Sequence, residues 1–289
     1  MTLRIQVSTL LALLVVCVSP AWAQSPPPPV NDGRDTAATM VAQPDFALAA
    51  LPTTGRVPAG RWAFRMTHRF ARPIAGTCPD EGPRPDGCGG VGAFLENFFG
   101  FDSASQVGIE LRYGVRPGTQ LAVHRTNNRA IQLLGQHALH RNSSGLAVDV
   151  VSAIEGQNNF REDHTVTVGA VVARVFSARG AIYAQPLLLF NSNPLPDTMT
   201  NDNHTVMLGL GGRVRLGRTT YLVAEAAPRL AGFKPGVDHI SLAVERRAGG
   251  HMFQFNVSNS FASTLRQLAH GGPNNGDWYI GFNLSRRFY

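Results

Sequence analysis

Residues 278–289 read Trp-Tyr-Ile-Gly-Phe-Asn-Leu-Ser-Arg-Arg-Phe-Tyr, and their alternation decides the fold. Successive side chains of an extended strand point to opposite faces. Trp278, Ile280, Phe282, Leu284 and Phe288 therefore share one face, while Tyr279, Gly281, Asn283, Ser285 and Arg287 share the other. An apolar outside, a polar inside and aromatics at both ends suit a barrel strand that spans a membrane.

Working outward from that strand, the same pattern recurs along the chain. Trp62, Phe64, Met66, His68 and Phe70 oppose Arg61, Arg65, Thr67 and Arg69. Val107, Ile109, Leu111 and Tyr113 oppose Gln106, Gly108, Glu110 and Arg112. Shorter alternations surround Leu121, Ile131 and Val148. Longer ones occupy His164–Val175, Ala181–Phe190, His204–Leu216, Thr220–Pro228, Asp238–Arg246 and Gly250–Asn259. Any one strand would serve a soluble sandwich equally well, so the connections decide. Those near Gly114–Gly118, His140–Gly145, Ser177–Gly180, Gly217–Thr219 and Arg247–Gly249 are short. Those between them are long: Ala71–Ala104, Glu155–Asp163, Asn191–Asn203, Arg229–Val237 and Ser260–Asp277, with Thr126–Asn128 the exception. The sequence thus predicts an all-β fold: a transmembrane antiparallel up-and-down β-barrel over residues 61–289, with about twelve strands, short periplasmic turns and long extracellular loops.

Met1–Ala23 has the order of a secretory signal: Arg4, the apolar run Leu10 to Val18, then Ala21-Trp22-Ala23 as a cleavage site. Removing those 23 residues from 289 leaves 266, enough for one large β domain. No later stretch is apolar over the length of a membrane helix. Residues 24–60 begin with Pro26 to Pro29 and read as a Pro-rich periplasmic lead-in. Within it Phe46, Leu48 and Leu51, ahead of Pro52-Thr53-Thr54, suggest docking at the periplasmic mouth, with a disordered leader as the competing reading.

The net charge of +7 falls to +6 when Arg4 leaves, and Lys234 is the sole lysine. A basic exported chain without a basic block points to anionic lipid or solute and away from nucleic acid. Of the three cysteines, Cys78 and Cys88 remain after the signal, and in an oxidising compartment the pair is expected as a disulfide. Catalytic signatures are absent, and the nine histidines show no metal-ligand spacing, so neither cofactor nor metal is expected. Gly209-Leu210-Gly211-Gly212 lacks the strand–turn–helix setting of a nucleotide loop; in a barrel strand such glycines relieve curvature or admit a neighbouring side chain.

Alternation assigns Arg65, Arg69, Glu110, Arg112, Asp149, Arg213, Arg215, Glu225, Glu245 and Arg287 to the lumen. Two readings compete: an arginine-rich wall that favours small anionic solutes, or paired charges that close a narrow barrel. Phe94, Phe98, Phe99 and Phe101 crowd the first long loop, as a constriction, a ligand site or an anchor at the membrane interface.

The terminal strand also resembles the signal by which bacterial barrel assembly recognises its clients, with Trp278, Ile280, Phe282, Leu284 and Phe288 in register and Tyr289 one residue beyond. Further stretches carry a family resemblance: Leu51-Pro52-Thr53-Thr54, Thr67-His68-Arg69-Phe70, Phe98-Phe99-Gly100-Phe101-Asp102, Gly108 to Gly114, Asn259-Ser260-Phe261 and Gly281 to Phe288. Together they resemble an uncharacterised family of predicted bacterial outer-membrane β-barrels. The resemblance implies a barrel in the outer-membrane lipid, delivered by the assembly machinery, and brings no catalytic residues. The expected function is a pore or passive channel for small solutes. A closed structural or surface-interaction barrel is the alternative, and a barrel enzyme the third reading.

Overall fold

The computed structural model describes residues 41–74, 91–92, 95, 104–196, 198–199 and 201–289. Met1–Ala23, Cys78, Cys88, Phe94, Phe98, Phe99 and Phe101 lie outside them. The strands are β1 (Trp62–Phe70), β2 (Ser105–Arg116), β3 (Thr119–Thr126), β4 (Ile131–Arg141), β5 (Leu146–Gln157), β6 (Glu162–Val175), β7 (Gly180–Phe190), β8 (His204–Arg215), β9 (Thr220–Ala227), β10 (Arg229–Gly232), β11 (His239–Ala248), β12 (His251–Ser258) and β13 (Tyr279–Arg287). A short helix, α1 (Leu265–His270), precedes the last strand.

Each strand pairs antiparallel with its sequence neighbour, except that β9 pairs with β8 and β11, and β13 pairs back onto β1. The result is a closed antiparallel ring of twelve strands, with β10 an extra strand laid against β8. The seam is in register from Ala63↔Arg287 to Arg69↔Gly281, so no main-chain edge is left unpaired there.

The sequence explains the ring's polarity. Inward positions are buried and largely polar, for example Gln120, His124, Gln254 and Asn283. Outward positions are exposed and apolar, for example Ile109, Leu121, Leu222, Phe253 and Phe255. That inversion of a soluble core is what lipid demands, since each strand satisfies its main chain on its neighbours and offers only side chains to hydrocarbon. Among the described residues no helix is long and apolar enough to cross a membrane.

Both chain ends of the barrel lie at one rim, with the short turns. The opposite rim carries the longer connections, but the asymmetry is smaller than the sequence suggests. The segment read as a loop at Glu155–Asp163 is mostly strand: β5 runs on to Gln157 and β6 starts at Glu162. The turn closes with Asn158, Asn159 and Phe160 all at positive φ. Asparagine tolerates that conformation better than most residues, so the tightness was concealed by polar residues that also suit long loops.

Candidate functional site: the filled lumen

The lumen wall has two sectors. From β4 to β9, Leu134, Val151, Val171, Leu187, Leu189 and Met207 point inward and make an apolar patch among Gln136, Asp149, Gln185, Arg213 and Glu225. From β11 round to β3 the wall is polar and charged. Chain from both rims fills the space between them.

From the rim with the termini, residues 41–57 enter, turn and return. The turn is fixed by Leu48 N–H to the Leu51 carbonyl at 2.8 Å and Thr53 N–H to the Phe46 carbonyl at 2.8 Å. Leu48 and Leu51 are fully buried in the apolar cluster. They reach it because β8 carries glycines where they press: Leu51 Cδ2 stands 2.9 Å from where a Gly209 Cβ would be, and Leu48 Cδ1 lies against Gly211. Gly114 similarly leaves room for the carbonyls of Val57 and Pro58, where Ala59 bridges to β2. The returning leg runs straight into β1. The expected docking at the mouth is thus replaced by occupation of the lumen, where Leu48 and Leu51 leave water for the apolar cluster and wall side chains replace water on the main chain.

The charged side chains hold this segment through its backbone. Glu225 accepts from Ala49 N–H at 3.0 Å, Ala50 N–H at 2.9 Å and Leu51 N–H at 3.1 Å. Three successive amides around one carboxylate form an anion nest. His239 Nε2 donates to the same carboxylate at 2.9 Å, and its Nδ1 lies 2.7 Å from Ser260 Oγ. On the other face of the turn, Ala49 O accepts from Arg65 at 2.6 Å, Arg69 at 3.1 Å and Asn283 at 3.0 Å. Arg213 binds Glu245 with two bonds of 2.7 and 2.8 Å and also donates to Ala47 O at 2.7 Å. Asp149 pairs with Arg56 of the segment at 2.8 Å. Arg112 pairs with Glu110. Arg287 donates to Gln43 O at 3.0 Å, and Arg112 and Arg287 both lie over the Phe46 ring, at 5.5 and 4.7 Å. Arg215 stands apart at the rim, bonded to the Gly217 and Arg218 carbonyls of its own turn.

Inward glutamines, which drew no attention as site residues in the sequence, finish the cradle. Gln136 donates to Thr53 O at 2.8 Å, Gln185 to Pro52 O at 2.7 Å, Gln254 to Leu48 O at 3.1 Å and Gln120 to Gly55 O at 3.2 Å. Their signal was alternation alone: each sits at an inward position of its strand.

From the opposite rim, residues 259–272 fold down over the same space. Thr264 and Gln267 form a capping box at the start of α1. Leu265 N–H donates to Gln132 Oε1 at 2.9 Å, and Gln106 donates to Gln267 Oε1 at 2.6 Å. Leu265 and Leu268 join the apolar cluster with Leu48 and Leu51. Beyond α1, His270 Nε2 donates to the Ser192 carbonyl at 2.8 Å. Burial holds the His270 imidazole below its usual value; the Ser192 carbonyl opposes that, and the Arg266 and Arg229 guanidiniums reinforce it.

At the end of the chain, Ile280, Phe282 and Leu284 face outward between buried neighbours, following Trp278. Phe288 N–H closes the seam on Trp62 O at 3.1 Å, and the Tyr289 hydroxyl reaches Arg56 O at 3.2 Å. Among the described residues no group of three metal-ligating side chains gathers.

A search of curated proteins found no match. Among solved structures, two variants of the Rhodopseudomonas blastica porin align at 14% and 13% identity, with TM-scores of 0.34 and 0.35. The alignments cover 63% and 75% of this chain and 55% and 64% of those chains. The chain therefore spans little more than half the length of the first porin variant, and a likeness this loose bears no functional weight. A family model described as a membrane bound beta barrel domain matches residues 46–288, from the middle of the lumenal turn to the last aromatic strand. The chain belongs to that family, the membrane bound beta barrel domain (DUF5777).

Proposed function

We propose that this is a bacterial outer-membrane barrel shut at rest by its own residues 41–57, and that it passes small solutes when that segment withdraws. The observation behind the proposal is the way the segment is held: lumen side chains bind the backbone of its turn, while its side chains supply few polar contacts. The arginine, glutamine and carboxylate side chains that hold the segment are solvated when it leaves, which offsets exposure of the apolar patch under Leu48 and Leu51.

Withdrawal would also change the lumen's charge. It frees three arginines, Arg65, Arg69 and Arg287, from the segment's carbonyls, and two carboxylates, Glu225 from its amides and Asp149 from its Arg56, whereas Glu110 and Glu245 keep wall partners in Arg112 and Arg213. The vacated polar sector would carry an excess of free arginine and favour anions. A second reading, a permanently shut barrel whose opposite rim meets a surface partner, is favoured by the 259–272 fold, which fills the other half.

Planar-bilayer recording separates them. The full exported chain should be silent or flicker rarely. A chain lacking residues 24–57 should conduct, with a reversal potential in a salt gradient that favours anions and shifts when Arg65 and Arg69 become glutamine. A truncated barrel that shows heat-dependent migration on a gel, as folded barrels do, yet never conducts would establish the shut barrel instead.

A further inference from the structure

We infer that the outer wall formed by β11, β12, β13 and β1 binds an anionic phospholipid, phosphate at the rim with the termini and one acyl chain along the barrel. Two independent features converge there. The first is charge. The seven stretches that make this rim are 58–63, 114–120, 137–147, 173–181, 214–221, 246–252 and 284–289. They contain eleven arginines and no aspartate or glutamate. The opposite rim mixes signs, with Glu162, Asp163, Asp202, Asp238 and Asp277 among its cations. Arg141 lies 3.7 Å from Asp149 and Arg287 turns inward to Gln43 O, and the net positive charge that remains on this rim is offset by an anionic surface against it.

The second feature is shape. A groove of about 470 Å³ runs on the outer wall between Val244, Phe253, Phe255, Phe282, Leu284 and Met66, and Arg246 closes its rim end. Register makes these residues neighbours: Arg246↔Phe253, Phe253↔Leu284, Val244↔Phe255, Phe255↔Phe282 and Met66↔Leu284. Arg286, paired with His251 on the intervening β12 and two residues nearer the rim than Leu284, is exposed and lies 5.3 Å over the Phe288 ring. Both arginines point outward, into the plane of the membrane, where an acidic soluble partner would not reach them. An acyl chain and a phosphate belong to one molecule that satisfies groove and cations together.

Quenching by brominated lipid tests this on the exported protein carrying Trp278→Phe, which leaves Trp62 as the reporter at this rim. The protein is reconstituted in phosphatidylcholine vesicles that contain a minor fraction of dibrominated phosphatidylglycerol or dibrominated phosphatidylcholine. Relative affinity for the anionic lipid at Trp62 should exceed that for phosphatidylcholine by about fivefold or more. It should fall toward one in Arg246→Gln/Arg286→Gln and stay high in the opposite-rim control Arg125→Gln/Arg161→Gln. Equal quenching by the two lipids in the native protein, or a preference untouched by Arg246→Gln/Arg286→Gln, would overturn the site. Exclusion of both lipids in a protein that migrates as a dimer would give the groove to a second copy instead. Should the double variant not assemble, raising salt with the native protein must erase the preference, since exposed charge is screened; a salt-insensitive preference counts against the arginines.

Discussion

Leu48 occupies the space that a side chain at position 211 would need: a Cβ on Gly211 would collide with Leu48 Cδ1, with the Ala224 carbonyl 2.9 Å away on the other side. The lumenal segment and the wall of β8 are therefore shaped for each other. Burying Leu48 is worth about 1.5–3 kcal/mol, and an overfilled site costs about 1–3 kcal/mol. Gly211→Val should push the segment from its seat; the Ala224 carbonyl must also give, so a retained heat-dependent gel shift checks that the ring still closes. Protease added at the rim with the termini should cut within 41–57 several times faster than in the native protein, by the logic that opening free energy sets cleavage. Cleavage at the native rate would mean that Leu48 is not held there.

Glu225→Gln probes the anion nest. The carboxylate takes three amides and His239, and hydrogen bonds to a charged group contribute about 1.5–3 kcal/mol. The neutral amide keeps one acceptor and loses the charge. Hydrogen exchange at Ala49, Ala50 and Leu51 should speed up by roughly tenfold or more, with exchange in β4–β7 unchanged. Equal exchange in both proteins would make the nest energetically idle.

Acid should loosen the opposite half of the filling before the ring. Burial lowers the His270 pKa, so the folded state favours neutral imidazole, donating Nε2–H to Ser192. A depressed pKa contributes stability that is present above the unfolded value of about 6.5 and lost as pH falls toward the folded one. Protection of the Gly271 and Gly272 amides, which bond α1 and Val237, should drop below about pH 6.5. His270→Gln, which retains a donor, should remove that pH dependence. A drop that persists in the glutamine variant would assign it to another group.

The ring itself was legible in the sequence because lipid enforces alternation, and twelve antiparallel strands followed from counting alternating runs. Alternation also places Arg65, Glu225 and Arg287 inward without saying what they touch. The occupant was hard to see for a physical reason: residues 41–57 have no periodicity, because an inserted turn is bound through its main chain, and main chain is common to every sequence. Leu48 and Leu51 hinted at burial, and Gly209 and Gly211 hinted at close approach. Only the structure brings these two hints together, across a sequence separation that pattern reading does not bridge.

The terminal strand bears on assembly. Phe288 is half-exposed on the outer wall, and its amide closes the β1–β13 seam on Trp62. Phe288→Asp puts charge at the lipid boundary beside that seam. The heat-dependent gel shift of folded barrel should fall to a minor fraction of the material, while Phe288→Tyr assembles normally. Full folding of the aspartate variant would free the terminal aromatic from any assembly role.

The most direct test asks whether the turn at Ala49 sits inside the barrel. Ala49→Cys, in a background with Cys78 and Cys88 changed to alanine, is exposed to a hydrophilic maleimide that has access to the rim with the termini. Arg218→Cys, in an exposed turn at that rim, is the control. Ala49 is buried by Arg65, Arg69 and Asn283 on its carbonyl and Glu225 on its amide, so the thiol of Ala49→Cys should label more slowly than that of Arg218→Cys by about tenfold or more. Labelling of Ala49→Cys should accelerate when Gly211→Val is added. Equal labelling rates for Ala49→Cys and Arg218→Cys, without the Gly211 change, would contradict a lumen filled by its own chain.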